Sequence, residues 1–210
     1  MLAPRPRPGH NREPAMISAM AIRRKARTRG DRYGAYSQFL HWGTAALVCA
    51  IVPVGLMMVA APTAELRRPL FEWHQSLGAA IWVLTLLRLW SRRGAAVPRP
   101  EVAMFRWQVL LADLMHFALY GLLVTLPLIG YGGAAVLRQP TTLFGLIAIP
   151  APSLPDWPAL GNGLLAIHRT MAWAMLLLLI VHVGIALYHH FVARDRTLRR
   201  MLPERYDPTI

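Results

Sequence analysis

Apolar positions in this chain neither alternate nor keep to one face; they gather in four long runs. The runs span about Phe39 to Ala61, Pro69 to Trp90, Val109 to Gly130 and Leu164 to Phe191. About 20 apolar residues suffice for a helix to cross a hydrocarbon core of about 30 Å. A helix bonds its own backbone groups and so needs no water there. The pattern therefore predicts an all-α protein, an integral-membrane four-helix bundle. Pro127, near the end of the third run, predicts a kink. Between the third and fourth runs the pattern predicts a Pro- and Gly-rich loop of roughly thirty residues, long enough to suggest function. Its segment Leu143-Phe144-Gly145-Leu146-Ile147 is apolar enough to lie in the membrane interface.

The polar segments set the boundaries. Residues 1–34 are rich in Pro and Arg with no hydrophobic period, which predicts a disordered basic tail. Met16 and Met20 offer later starts within it. The basic stretch Arg23-Arg24-Lys25-Ala26-Arg27 resembles the front of a signal peptide, but the apolar run that follows is too long for one and contains His41. A retained first helix is expected. Residues 35–193 form the membrane domain and residues 194–210 a basic C-terminal tail. Arginines crowd the N-terminal tail, the Arg92 to Arg106 linker and the C-terminal tail. The other two loops hold only Arg67, Arg68 and Arg138. Positive charge favours the cytoplasmic side, so both termini are expected there, in a multi-pass membrane protein.

Composition sharpens this picture. The chain has 210 residues, 55% hydrophobic and 16% charged, with a net charge of +13. The arginines border the apolar runs, where lipid headgroups take them, so the charge points to membrane lipid and not to nucleic acid. Cys49 is the one cysteine and lies inside an apolar run; no Cys-x-x-Cys-His sequence exists for covalent haem attachment.

Ionisable residues inside a membrane are costly and mark function. His41, His74, His116, His168 and His182 lie in or near the runs, and His189 and His190 at the end of the fourth. His168 and His182 are fourteen residues apart, close to four helical turns, so they face one way at depths about 21 Å apart. Each needs a partner from another helix at its own depth. His74 suits His168 and His41 suits His182, although depth alone leaves His116, and His189 one heptad beyond His182, open as the cytoplasmic-side ligand. A large apolar macrocycle with axial histidines suits a bundle interior. Imidazole also suits other metals, but no carboxylate or thiolate cluster accompanies these histidines.

In order and spacing the chain resembles the prokaryotic cytochrome b(561) family. The matching stretches are Tyr36-Ser37 with His41-Trp42, then His74-Gln75-Ser76-Leu77-Gly78, His116 with Tyr120, and Pro127-Leu128-Ile129-Gly130. They continue with Phe144-Gly145-Leu146, His168, His182, His189-His190 to Asp195, Thr197-Leu198, Arg200-Met201 and Pro203. The resemblance covers about residues 33 to 203. It implies a four-helix cytochrome of the inner membrane with two non-covalent b haems. His41 and His182 would ligate the iron of the cytoplasmic-side haem, His74 and His168 that of the periplasmic-side haem. His116, not an axial ligand by this resemblance, is expected to line a quinone or propionate region. Arg88, Arg92 and Arg169 are candidates for the propionates.

The resemblance also implies transmembrane electron transfer linked to quinone, and for some members superoxide oxidation with ubiquinone as acceptor. Arg67, Arg68 and Arg138 would then face the periplasmic mouth, where they could attract an anion. An alternative from another class is a haem b membrane-anchor subunit of a respiratory dehydrogenase or hydrogenase, which would bring a redox protein partner; a homo-oligomer is a further expectation. A haem-free bundle using its histidines for proton movement would leave two depth-matched pairs to coincidence.

Overall fold

A computed structural model describes residues 32–93, 105–150 and 157–203. Four helices dominate: α1 (Ala35–Ala60), α2 (Ala64–Arg92), α3 (Arg106–Val136) and α4 (Pro158–Phe191). Two short strands, β1 (Thr141–Leu143) and β2 (Ile147–Ile149), form an antiparallel hairpin, and a 3-10 turn (Arg199–Met201) follows α4. The basic N-terminal tail and most of the Arg92 to Arg106 linker lie outside the described residues.

Among the described residues three helices, α1, α3 and α4, are long and apolar enough to cross a membrane. The more polar α2 carries Glu65, Arg67, Arg68 and Glu72 in its first turns and Arg88 and Arg92 in its last, so its apolar centre is short. Thr63 caps its start by accepting from the Leu66 N–H at 3.4 Å. Arg67 donates to the Ala61 carbonyl at 3.1 Å, which ties the α1–α2 turn, and Arg68 pairs with Glu72 at 3.3 Å within α2. Pro53, Pro69 and Pro127 all lie inside helices.

The helices form two antiparallel pairs. In the first, Gly43 approaches Leu84, Gly78 approaches Ile51, and Gly55 approaches His74. In the second, Gly133 approaches Leu165, Gly161 approaches Leu137, and Gly130 approaches His168. Position climbs on one helix as it falls on the other, so each pair keeps one register. The pairs meet mainly through α2 and α3, while α1 and α4 hardly touch. Among the described residues few hydrophobic side chains are buried, Leu40, Val48, Ile81, Leu119 and Met175 among them. Most large apolar groups face outward, as lipid requires: Phe117 is 76% exposed and Leu177 63%.

The loop expected between the third and fourth runs is shorter than the sequence suggests. Helix α3 continues to Val136 through Gly132 and Gly133, because small residues there let α4 approach closely. A Cβ at Gly133 would stand 2.8 Å from the Leu165 side chain, and one at Gly161 only 2.6 Å from that of Leu137. Glycine marks close packing here and not a loop. Thr141 to Ile149 then forms the β1–β2 hairpin, whose turn places Phe144 (φ 52°) and Gly145 (φ 67°) in the left-handed region, as tight hairpins demand.

The two ends of the described chain meet. The carbonyls of Arg200, Met201 and Leu202 receive hydrogen bonds from the start of α1. This end of the bundle is the terminal face; the β-hairpin lies at the opposite end.

Candidate haem site

The interior of each helix pair is set by spacing. On α2, His74, Ile81, Thr85, Arg88 and Arg92 recur at helical intervals and share one face. Ile81 and Thr85 are buried, which fixes that face inward. The Thr85 hydroxyl returns to the Ile81 carbonyl at 2.7 Å, and Thr44 on α1 does the same with Leu40, so both buried hydroxyls are satisfied.

At the hairpin end, His74 on α2 and His168 on α4 stand edge to face with ring centres 6.0 Å apart. They belong to different helix pairs. The His168 Nδ1 bonds the Leu126 carbonyl of α3 at 2.9 Å, and since a carbonyl only accepts, Nδ1 carries the hydrogen and leaves Nε2 as the free donor of electrons. The His74 Nδ1 is buried without a hydrogen-bond partner.

At the terminal face, His182 on α4 has two histidine neighbours. Its ring lies 5.7 Å from that of His116 on α3, in the same helix pair, and His41 on α1 lies within electrostatic reach of both. The His116 Nδ1 bonds the Ala112 carbonyl of its own helix at 2.7 Å. The His41 Nδ1 is buried and unpartnered.

The antiparallel registers give every one of these histidines a neighbour within its own helix pair. His74 has Gly55, His168 has Gly130, His182 has His116, and His41 has Arg88. The hairpin-end pair is thus flanked by glycines and the terminal-face pair by polar side chains. The aromatic ring of Tyr120 lies beneath two guanidinium groups, with Arg88 at 5.3 Å and Arg92 at 5.5 Å from its centre. Its hydroxyl is buried and unpartnered. Among the described residues no carboxylate stands in ion-pair distance of Arg88 or Arg92. Arg169 points elsewhere: it is exposed, one residue past His168.

These features fit a haem. Two imidazoles on one metal, with bonds of about 2 Å, have ring centres about 6 Å apart, the separation of His74 and His168. Glycines beside His74 and His168 leave room that a Cβ would fill. Two cations and an orphaned tyrosine hydroxyl ask for an acid, which a propionate supplies. No group of three or more His, Cys, Asp or Glu residues converges among the described residues, as a bare metal ion would require.

Tyr120, Gly55 and Gly130 are missing from the sequence-based candidates for direct roles. Tyr120 lies four residues after His116 and Gly130 closes the Pro127-Leu128-Ile129-Gly130 stretch, so both were visible, but only packing reveals what they touch.

Comparison with known proteins agrees with this architecture. A family profile described as "Prokaryotic cytochrome b561" matches residues 32–204. Cytochrome b561 homolog 2 of Escherichia coli (strain K12) is 32% identical over 175 residues, covering 82% of this chain and 92% of the relative. Cytochrome b561 homolog 1 of the same organism is 30% identical over 181 residues, covering 83% and 99%. The probable superoxide oxidase CybB of Yersinia pestis is 31% identical over 162 residues, covering 71% and 89%. The chain belongs to the prokaryotic cytochrome b561 family, membrane helical bundles that bind b-type haem and transfer electrons.

Proposed function

We propose that the chain is a di-haem b cytochrome that moves electrons across the bacterial inner membrane, with both termini cytoplasmic and quinone as its lipid-soluble partner. The observation that carries this reading is the placement of His74 beside His168, 6.0 Å apart and contributed by separate helix pairs. His74 and His168 would hold the periplasmic-side haem, His41 and His182 the cytoplasmic-side haem. For the second pair His116 is the competitor, being nearer in register to His182. Two points support His41: it belongs to the helix pair opposite His182, as His74 does to that opposite His168, and His41-Trp42 matches the family pattern. His116 then lines the site, as Gly130 does beside His168.

Haem, once bound, supplies the one-electron chemistry. The protein's own contribution is ligand geometry, charge and exclusion of water. Arg88, Arg92 and the Tyr120 hydroxyl would receive propionates. Basic segments at the terminal face would contact anionic headgroups.

The name of the Yersinia relative supports superoxide as donor; ubiquinone as acceptor rests on the family resemblance alone. The loop arginines lend this less support than their charge suggests. Arg67 is tied to a backbone carbonyl and Arg68 to Glu72, which leaves Arg138, exposed beside the hairpin.

The test is electron transfer through vesicles that hold ferricyanide inside and a membrane-impermeant reductant outside. Wild-type protein should reduce the trapped ferricyanide well above protein-free vesicles, and His74→Ala should abolish the gain. Equal rates with and without protein overturn the proposal. Transfer only after a partner protein is added would make the chain a membrane anchor instead.

A further inference from the structure

The residues after α4 do more than trail into the cytoplasm. Asp195 closes the end of α4: it pairs with the His189 Nδ1, its N–H donates to the His189 carbonyl at 3.1 Å, and its carboxylate accepts from the Thr197 N–H at 2.8 Å. Arg194, at φ 53°, makes the sharp reversal. The chain then returns to the start of α1. The Gln38 amide nitrogen spends both its hydrogens, on the Arg200 carbonyl at 3.2 Å and the Leu202 carbonyl at 3.1 Å. The Trp42 indole N–H donates to the Met201 carbonyl between them at 2.7 Å. The Tyr33 N–H adds a longer bond to Arg200, at 3.3 Å. Three consecutive carbonyls are thus held by one helical start, and Gln38 is only 8% exposed.

What this clamp holds is the neighbourhood of His41. A metal-ligating histidine is normally oriented by a hydrogen bond from its second ring nitrogen. His168 has one, to the Leu126 carbonyl. His41 has none: its Nδ1 is buried and unpartnered. What touches the His41 ring is Trp42, edge to face with centres 5.2 Å apart. The orientation of Trp42 is in turn fixed by Met201.

We propose that the segment from Asp195 to Leu202 is the positioning element of the terminal-face haem ligand, acting on His41 through Trp42. It takes the place of the missing hydrogen bond. The inference rests on the reading of His41 as an axial ligand. It also gives a role to the Asp195, Thr197-Leu198 and Arg200-Met201 pattern, which electron transfer leaves unused.

The experiment compares detergent-purified holoprotein of wild type, Trp42→Phe, and a truncation ending at Leu198. Trp42→Phe keeps an aromatic ring beside His41 but loses the N–H donor together with the pyrrole half of the indole. Two readouts are taken: the low-spin electron paramagnetic resonance signals, and the rates at which haem leaves to apomyoglobin. Loss of an outer partner commonly weakens metal retention about 10- to 100-fold. Both variants should therefore shift one of two low-spin signals and release one haem about tenfold faster, while the other haem matches wild type. Unchanged signals and rates in Trp42→Phe overturn the proposal. Equal loss of both haems also overturns it, since that marks general unfolding. A wild type without two haems defeats the underlying reading instead, and so separates the two failures.

Discussion

A Cβ placed on Gly130 would stand 2.9 Å from the Nδ1 of His168, closer than side chains pack. Helix α3 therefore needs glycine at this position for His168 to keep both its place and its bond to Leu126. Gly130→Ala should displace the imidazole, costing about 1–3 kcal/mol as overpacking does, and deplete the hairpin-end haem. Gly55→Ala, with its Cβ 3.2 Å from His74, should act on the same haem more weakly. Haem content per chain checks both; equal and full occupancy in Gly130→Ala contradicts the packing argument.

Charge separates the two proposed haem positions. Arg88 and Arg92 lie at the terminal face, whereas the His74–His168 pair has glycines as in-register neighbours. A nearby cation favours the reduced, more negative state of a redox centre, so the terminal-face haem should have the higher potential. Electrons would then run downhill from the hairpin end. Arg88→Gln should lower that potential and narrow the gap between the two, with a loss of about 1.5–3 kcal/mol if a charge-assisted bond to a propionate is removed. Arg169→Gln, on an exposed position, should leave both unchanged. A redox titration of the absorbance bands decides.

Ser76 is fully buried and ties the β-hairpin to α2. Its hydroxyl donates to the Glu72 carbonyl at 2.8 Å and accepts from the Phe144 N–H at 2.7 Å. Gln75 adds a bond to Thr141 at 3.1 Å. Phe144 sits at a positive φ and packs edge on against Trp73, so this bond holds a conformation that a side chain adopts reluctantly. Ser76→Ala leaves the Phe144 N–H unpaired at a cost of about 1–3 kcal/mol. Amide exchange at residues 143–147 should accelerate by about tenfold or more, while exchange in α4 stays as in wild type.

The C-terminal clamp should open in acid. Burial works to raise the Asp195 carboxyl, but the Thr197 N–H and hydroxyl and the His189 ring outweigh it and hold the group below its ordinary value. A carboxylate lowered in the folded state stabilises it above the usual carboxylate range, about pH 4, and that contribution is lost as pH falls through the lowered value. A spin label at Leu198→Cys, in a Cys49→Ser background, should be immobile near neutral pH and loosen in acid. Asp195→Asn should be mobile throughout. An Asp195→Asn label as immobile as wild type would contradict the role of the carboxylate.

Much of this fold is written in hydrophobic run length, because a bilayer imposes a length on every crossing helix. The ends of α1 and α4 fall close to where apolar residues stop. Helix α3 outruns its apolar segment because Gly132 and Gly133 resemble loop residues in composition while serving as contact points for α4. The hairpin hides for a similar reason: Leu143 to Ile147 is apolar either way, and only the antiparallel pairing of β1 with β2, anchored to α2 through Gln75 and Ser76, makes it strands. The histidines were legible as a depth-matched set through the fourteen-residue interval on one helix. Which histidine faces which is a matter of register between helices, and no single-helix period carries that. Arg169 shows the limit, since adjacency to His168 in sequence means a turn of about 100° away from it around the helix.

The measurement that tests the central claim most directly is haem b per chain, by pyridine haemochrome, in wild type and in His41→Ala, His74→Ala and His116→Ala. The account predicts two haems in wild type, one in each of the first two variants, and two in His116→Ala. One haem in His116→Ala with two in His41→Ala would move the ligand from α1 to α3 and contradict the pairing; no haem in wild type would contradict the account altogether.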